Sequence, residues 1–235
     1  MDRKKFIRNG ILGIASIAGA TKFLESCSKS DNDDESSNSG DGICTVSPSE
    51  TKGPFPIKTP SQLVLENIKS DRVGIALLIN LTIENKNNNC EPLQGVLVDV
   101  WHCDKDGNYS EYGGTQMQQT DYTTVHFLRG RQTTDANGNV SFISIYPGWY
   151  QGRAPHVHVE VLTRSGNSLL VTQIAFPENI SSTVYASTNY AAHGQADTSN
   201  ARDSIFSDSL SEELATITGN LTDGYTLAKT ITVNA

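Results

Sequence analysis

The sequence predicts an all-β fold, a single β-sandwich with long loops and little helix. Three observations lead there. In LLINLTIE (77–84) apolar and polar residues alternate at strand period, with Leu77, Ile79, Leu81 and Ile83 on one face and Asn80, Thr82 and Glu84 on the other. Further short apolar runs follow, each bounded by Gly, Asn or Pro turn chemistry. There is no internal repeat, and only 209–218 carries a helical pattern, started by Asp208 and stopped by Gly219.

The elements follow in order. NKNNNCEPLQG is turn chemistry after the first strand. GVLVDVWHC (95–103) reads as a second strand, with Val96, Val98 and Val100 on one face. DANGNVSFISI (135–145) is a turn feeding a third. PHVHVEVL (155–162) is a fourth, NSLLVTQIAF (167–176) a fifth and TLAKTITVN (226–234) a sixth. Many short strands with such turns suit a sandwich. The connections 107–134 and 177–207 are long, and long loops in a compact domain are usually functional or mobile.

A chain of 235 residues that is 37% hydrophobic can bury one substantial core. Its net charge of −8 argues against a nucleic-acid surface, which needs clustered Lys and Arg. Residues 1–27 read as an export signal. MDRKKFIRNG is cationic, and ILGIASIAGATKFL is apolar but too short and interrupted to span a bilayer. The segment ends in Leu24-Glu25-Ser26-Cys27, which resembles a bacterial lipoprotein lipobox with Cys27 as the lipidated residue. RKKFIR also resembles a twin-arginine signal, with Lys4 in place of the second Arg. SKSDNDDESSNSGDG (28–42) has no apolar residue and is expected to be a disordered tether. The folded domain is then 43–235. The protein is expected to be exported, as a cell-envelope lipoprotein on the periplasmic or outer side or as a secreted protein, touching membrane only through its lipid.

Export permits a disulfide among Cys44, Cys90 and Cys103. Cys90 and Cys103 flank one strand, whose ~3.3 Å per residue separates its ends beyond disulfide reach. Cys44 is the natural partner of Cys90 or of Cys103.

The chemistry concentrates in GWYQGRAPHVHVEV (148–161). On a strand, Val157, Val159 and Val161 share one face, and His156, His158 and Glu160 share the other. The two imidazoles sit ~7 Å apart at the backbone, near enough to bind one ion. Taken alone, this pattern also fits two solvent-facing histidines on an edge strand. Pro147-Gly148-Trp149-Tyr150 is a turn that can bring a tyrosine back over the start of the strand, and Arg153 sits three residues before His156. A phenol beside a trivalent cation loses its proton. Two histidines with tyrosinates form a hard, anionic set that suits Fe(III) better than zinc.

These residues carry a resemblance. TKGPF (51–55), LQGVLVDVWHCDKDGNYS (93–110), FLRGRQTTDANG (127–138), YPGWYQGRAPHVHVEV (146–161) and then VTQIAF (171–176) resemble, in order, the motifs of the intradiol ring-cleaving dioxygenases, most closely their small secreted branch. The resemblance spans about 43–234. It implies the family's β-sandwich and a non-haem Fe(III) held by Tyr109, Tyr150, His156 and His158, with Tyr150 and His158 axial and Tyr109 and His156 equatorial. Arg153 would lie over the substrate ring, and Gln173 near the ring carbon that is attacked. Pro54 and Trp149 would line the pocket. The implied partners are a catecholic small molecule and O2, and the implied product is a muconate-type dicarboxylic acid. A hydroxide and one tyrosinate would accept the two substrate protons, and Arg153 would stabilise charge developing on the ring.

The sequence differs from the family's intracellular members in three ways. They have Arg-Pro-Ala where this chain has Arg153-Ala154-Pro155, their loop between the positions of Tyr150 and His156 is longer, and they carry an N-terminal helical dimerisation region. The short loop predicts a more open pocket. His102 reads as structural, His193 as a surface loop residue and Trp101 as core; His126 lies in the long loop near the matched region. The competing expectation is a non-catalytic sandwich, like transthyretin-like or carboxypeptidase-regulatory domains, that binds carbohydrate or a partner.

Overall fold

A computed structural model of the protein describes residues 44–235. The expected signal segment, Cys27 and the 28–42 tether lie outside the described residues. Among the described residues nine strands form two sheets: β1 (Ala76–Asn85), β2 (Glu91–Pro92), β3 (Leu97–Trp101), β4 (Arg129–Thr133), β5 (Asn139–Ile145), β6 (His156–Leu162), β7 (Ser168–Ala175), β8 (Thr216–Asn220) and β9 (Gly224–Val233). Two helices, α1 (Glu178–Tyr185) and α2 (Leu210–Glu213), follow β7.

The first sheet runs β2-β1-β9-β8, and β5 also pairs with β1. Most of it is antiparallel, but β1 and β9 are parallel, with Leu77 opposite Tyr225 and Asn85 opposite Val233. The second sheet runs β4-β3-β6-β7 and is antiparallel throughout. Between the sheets lies the main core. The alternation seen in the sequence supplies it: Leu77, Ile79, Leu81 and Ile83 from β1 meet Val98 and Val100 from β3 and Val157, Val159 and Val161 from β6. Burying such side chains is worth about 1.5–3 kcal/mol each.

Strand β6 is buried along its whole length. Its valines enter the main core, while His156, His158 and Glu160 point the other way yet stay buried. The segment 50–59 and the loop after β3 cover that outer face. Glu50 N–H donates to Val171 O, Lys52 pairs with Glu160 at 2.7 Å, and Arg129 Nη1 donates to Phe55 O. A sheet covered on both faces creates a second interior, polar and aromatic, and the functional side chains lie there.

Three elements depart from the sequence reading. Strand β4 lies inside the stretch expected to be loop. RGRQT has no apolar alternation, because its outward side chains are charged: Arg131 pairs with Asp99 of β3 at 2.5 Å, and Arg129 is buried. Helix α1 also lies in an expected loop. Its Ser-Ser-Thr-Val stretch is poor in helix formers, and burial of Ser181, Val184 and Tyr185 holds it. The expected helix over 209–218 stops at Glu213, and Thr216–Asn220 pairs with β9 as a hairpin arm. β-branched Thr216, Ile217 and Thr218 favour that outcome.

Cys44 is bonded to Cys90, with Cα atoms 6.0 Å apart, and Cys103 is a buried free thiol. The bond ties the covering segment to the end of β1. Reduction should lower stability by about 2–4 kcal/mol, given a loop of 46 residues. Denaturant unfolding with and without reductant measures this; equal midpoints would reject it.

Candidate active site

A row of cross-strand partners crosses the covered face of the second sheet. Arg129 of β4 lies opposite Trp101 of β3, Trp101 opposite His158 of β6, and His158 opposite Gln173 of β7. The Trp101 ring stacks on His158 at 4.8 Å with an interplanar angle of 1°. Trp101, expected to be core, is buried, but it packs with Phe55, Cys103 and Tyr109 on the site face rather than between the sheets.

Gly53 also lies against the His158 ring. It has φ +66, and a Cβ there would lie 3.0 Å from His158 Cε1. The glycine of TKGPF is therefore a close-approach residue. Gly53→Ala should cost about 1–3 kcal/mol through left-handed strain plus crowding of the imidazole. Denaturant unfolding checks this; wild-type stability would show that the segment can move aside freely.

Tyr109 reaches the site from the loop after β3. Asp104 shapes that loop: its Oδ1 accepts from Asp106 N at 3.0 Å and Asn108 N at 2.9 Å, and its own N–H donates to Asn108 O. The positive φ of Gly107 completes the turn. The Tyr109 ring stacks on Phe55 at 4.7 Å, and its Oη lies 3.2 Å from His156 Nε2. His156 Nε2 lies 3.1 Å from His158 Nε2. Tyr150 completes the group, its ring 5.7 Å from that of His156 and 5.9 Å from that of Tyr109. Tyr109, Tyr150, His156 and His158 thus form one cluster.

The protonation states are constrained. His156 Nδ1 lies 2.7 Å from Ala154 O, which can only accept, so Nδ1 carries the proton and Nε2 presents a lone pair. Burial, then the nearby Arg153, pushes His156 down to about 3, and burial followed by His156 pushes His158 well below its usual range. Both rings are neutral, as metal ligation requires. Burial raises the phenols of Tyr109 and Tyr150, while the Arg153 guanidinium pulls against that at both.

The cluster fits a bound cation. Tyr109 Oη and His158 Nε2 compete for the single lone pair on His156 Nε2, and His158 Nδ1 is buried with no hydrogen-bond partner. A cation would use these lone pairs directly and draw off the phenol protons. Among the described residues no group of three or more His, Cys, Asp or Glu side chains is placed to hold a metal. The donors beside the two imidazoles are tyrosine oxygens, a set that suits a hard trivalent ion better than a soft one.

Arg153 borders the cluster. Its Nε donates to Asp203, Nη2 to Gln173 Oε1 at 2.6 Å and Nη1 to Tyr150 Oη at 3.4 Å. Gln173 is fixed in turn by donating to Thr51 O at 2.9 Å. The two expected pocket residues lie further out. Pro54 is exposed, and half-buried Trp149 donates to Gly194 O and packs its ring on His193 at 4.5 Å. His193 is half-buried by that contact rather than a plain surface residue. His102 is structural: fully buried, it bonds Cys103 O and Ser144 Oγ, and burial lowers it to about 4. His126 is exposed and pairs with Glu111 at 2.8 Å.

Sequence reasoning missed Asp203, Phe55, Arg129 and Glu111. Arg129 is wholly buried, donating to Ser110 O and Phe55 O with Glu111 at 3.7 Å. Phe55 and Arg129 lie within matched motifs, so a buried role was readable there. No local pattern marks Asp203.

Known proteins resemble this chain in sequence and in fold. A family model described as "Dioxygenase" matches residues 57–204. A chlorocatechol 1,2-dioxygenase from Rhodococcus opacus is 26% identical over 152 residues, 54% of this chain and 55% of that protein. The chain spans about half the length of this curated relative. An intradiol ring-cleavage dioxygenase structure from Tetranychus urticae is 29% identical with a TM-score of 0.73, covering 81% of this chain and 95% of that one. The dioxygenase domain of a carbohydrate-binding fusion from Streptomyces sp. SirexAA-E shares the fold at 24% identity and TM-score 0.56, covering 81% of this chain and 99% of that one.

Proposed function

The chain belongs to the intradiol ring-cleavage dioxygenase family, and on that premise we propose that it opens a catecholic ring with O2 between the two oxygenated carbons, yielding a muconate-type dicarboxylic acid. The observation that carries this reading is the buried His156 Nε2, with Tyr109 Oη 3.2 Å and His158 Nε2 3.1 Å from it, beside the Tyr150 ring. These four residues would hold a non-haem Fe(III). Bound there, the ion would supply Lewis acidity, holding the catecholate oxygens and readying the ring for O2.

The chain's own groups do the rest. Tyr150 Oη, beside the Arg153 guanidinium, is the base that takes a proton from a catechol hydroxyl. The guanidinium favours the phenolate before transfer and the negative ring afterwards. Gln173 holds Arg153 from the neighbouring strand β7. Tyr109 stays stacked on Phe55 as the fixed tyrosine. The covering segment keeps bulk water from both imidazoles, which are almost fully buried. A carbohydrate- or partner-binding sandwich would have no use for three buried donors and a half-buried Tyr150 gathered around one imidazole lone pair.

The deciding experiment is a visible spectrum of the purified protein before and after anaerobic catechol. A broad tyrosinate-to-Fe(III) band that moves to longer wavelength with catechol is expected. A colourless protein, still colourless after iron reconstitution, would sink the reading.

We also propose that the protein works outside the cytoplasm on a lipid anchor at Cys27. The Cys44–Cys90 disulfide supports an oxidising compartment. Cys27→Ala should move the protein from the membrane to the soluble fraction; unchanged fractionation would reject the anchor.

A further inference from the structure

One buried carboxylate stands behind the Arg153 guanidinium. Asp203 is fully buried, and both its oxygens accept from Arg153 Nε, at 3.0 and 2.8 Å. The same carboxylate accepts Ala154 N at 2.7 Å and Ile205 N at 2.9 Å. Its position is fixed from behind. Asp203 N–H donates into the short 3-10 turn Asn200–Arg202, and Asn200 is anchored by donating to Phe176 O and Glu178 Oε1. Arg153 is the cation paired with it.

We propose that Asp203 is the positioning residue that sets the Arg153 guanidinium over the substrate ring, an inference that rests on the dioxygenase reading of the site. A guanidinium has a rigid fork of donors. With Nε held by Asp203 and Nη2 by Gln173, the plane is fixed and Nη1 is left facing Tyr150 Oη. Without Asp203 the fork can turn about its Cδ–Nε bond, and the charge no longer meets the ring in one orientation. The pair also removes the need for solvent to neutralise Arg153, so the site is polarised before substrate arrives. Because Ala154 N uses the same carboxylate, Arg153 and the entry of β6 into His156 share one anchor.

The test compares kcat and KM for catechol in the full chain for wild type, Asp203→Asn, Arg153→Ala and the double variant, with iron content, visible band and Tm for each. Asp203→Asn should lower kcat about tenfold or more with iron and tyrosinate band retained and KM changed less than about threefold. The double variant should be no slower than Arg153→Ala alone, since Asp203 acts through Arg153. Losses that multiply in the double variant would overturn the proposal and make Asp203 merely structural.

A crystal structure of Asp203→Asn gives a readout independent of turnover. The guanidinium should leave Gln173 Oε1; a guanidinium within about 0.5 Å of its wild-type place would overturn the proposal. A wild type that binds iron but does not cleave catechol would sink the activity reading and leave this structure to judge Asp203. If Asp203→Asn does not fold, Asp203→Glu keeps the charge but shifts it by one methylene. It should fold with reduced kcat, and a wild-type kcat would overturn the proposal.

Discussion

Replacing His158 by alanine should leave the purified protein nearly free of iron. The ring stacks on the flat face of Trp101 and lies against Gly53, with its Nε2 3.1 Å from His156 Nε2. No other imidazole can swing into that slot, because β6 is paired on both sides. Loss of outer partners of a metal ligand costs 10–100-fold in affinity, so loss of the ligand itself should cost at least about 100-fold. The void beneath Trp101 adds a stability loss of about 2–4 kcal/mol. Iron per chain, measured on protein that still shows a cooperative melt, decides the matter. One iron per chain would mean that the ligand set is wrong.

Tyr150→Phe should slow ring cleavage by about 10²–10⁴, the usual worth of a positioned proton acceptor. The substitution removes one oxygen and keeps the ring, so the edge contacts with Phe55 and Tyr109 survive and stability should change by under about 1 kcal/mol. Some iron should remain on the other three donors, with a weaker visible band. Steady-state turnover and the absorption spectrum check this together. Unchanged colour and rate would remove Tyr150 from the site.

The sandwich was legible because its core strands carry a simple signal. The alternation in β1 and the valines of β3 and β6 mark inward faces that the structure buries almost completely. β4 was not legible, because a strand whose outward faces end in Arg129 and Arg131 looks like loop until Asp99 and the carbonyls of Phe55 and Ser110 are known. The hairpin arm β8 was masked by the acidic run before it, which starts a helix that lasts only to Glu213. At the site, residues close in sequence could be grouped from the motifs: Tyr150, Arg153, His156 and His158 lie within nine positions. Gly53, Phe55 and Asp203 arrive from segments far along the chain, and only folding brings them to that group. Pairing was half legible: strand length set Cys90 and Cys103 apart, but the choice between them for Cys44 depended on where the covering segment runs.

The parallel register of β1 with β9 sets the order in which this protein can be completed. Leu77 must wait for Tyr225, and Asn85 for Val233, each nearly 150 residues further along. Until β9 has emerged from the ribosome, β1 lacks one neighbour and the first sheet has an open edge at its centre. Contacts spanning so much sequence make folding slow and leave the emerging chain without a finished sheet. The second sheet, whose strands all lie within 97–175, has no such wait, so the face that carries His156 and His158 can pair before the first sheet is complete.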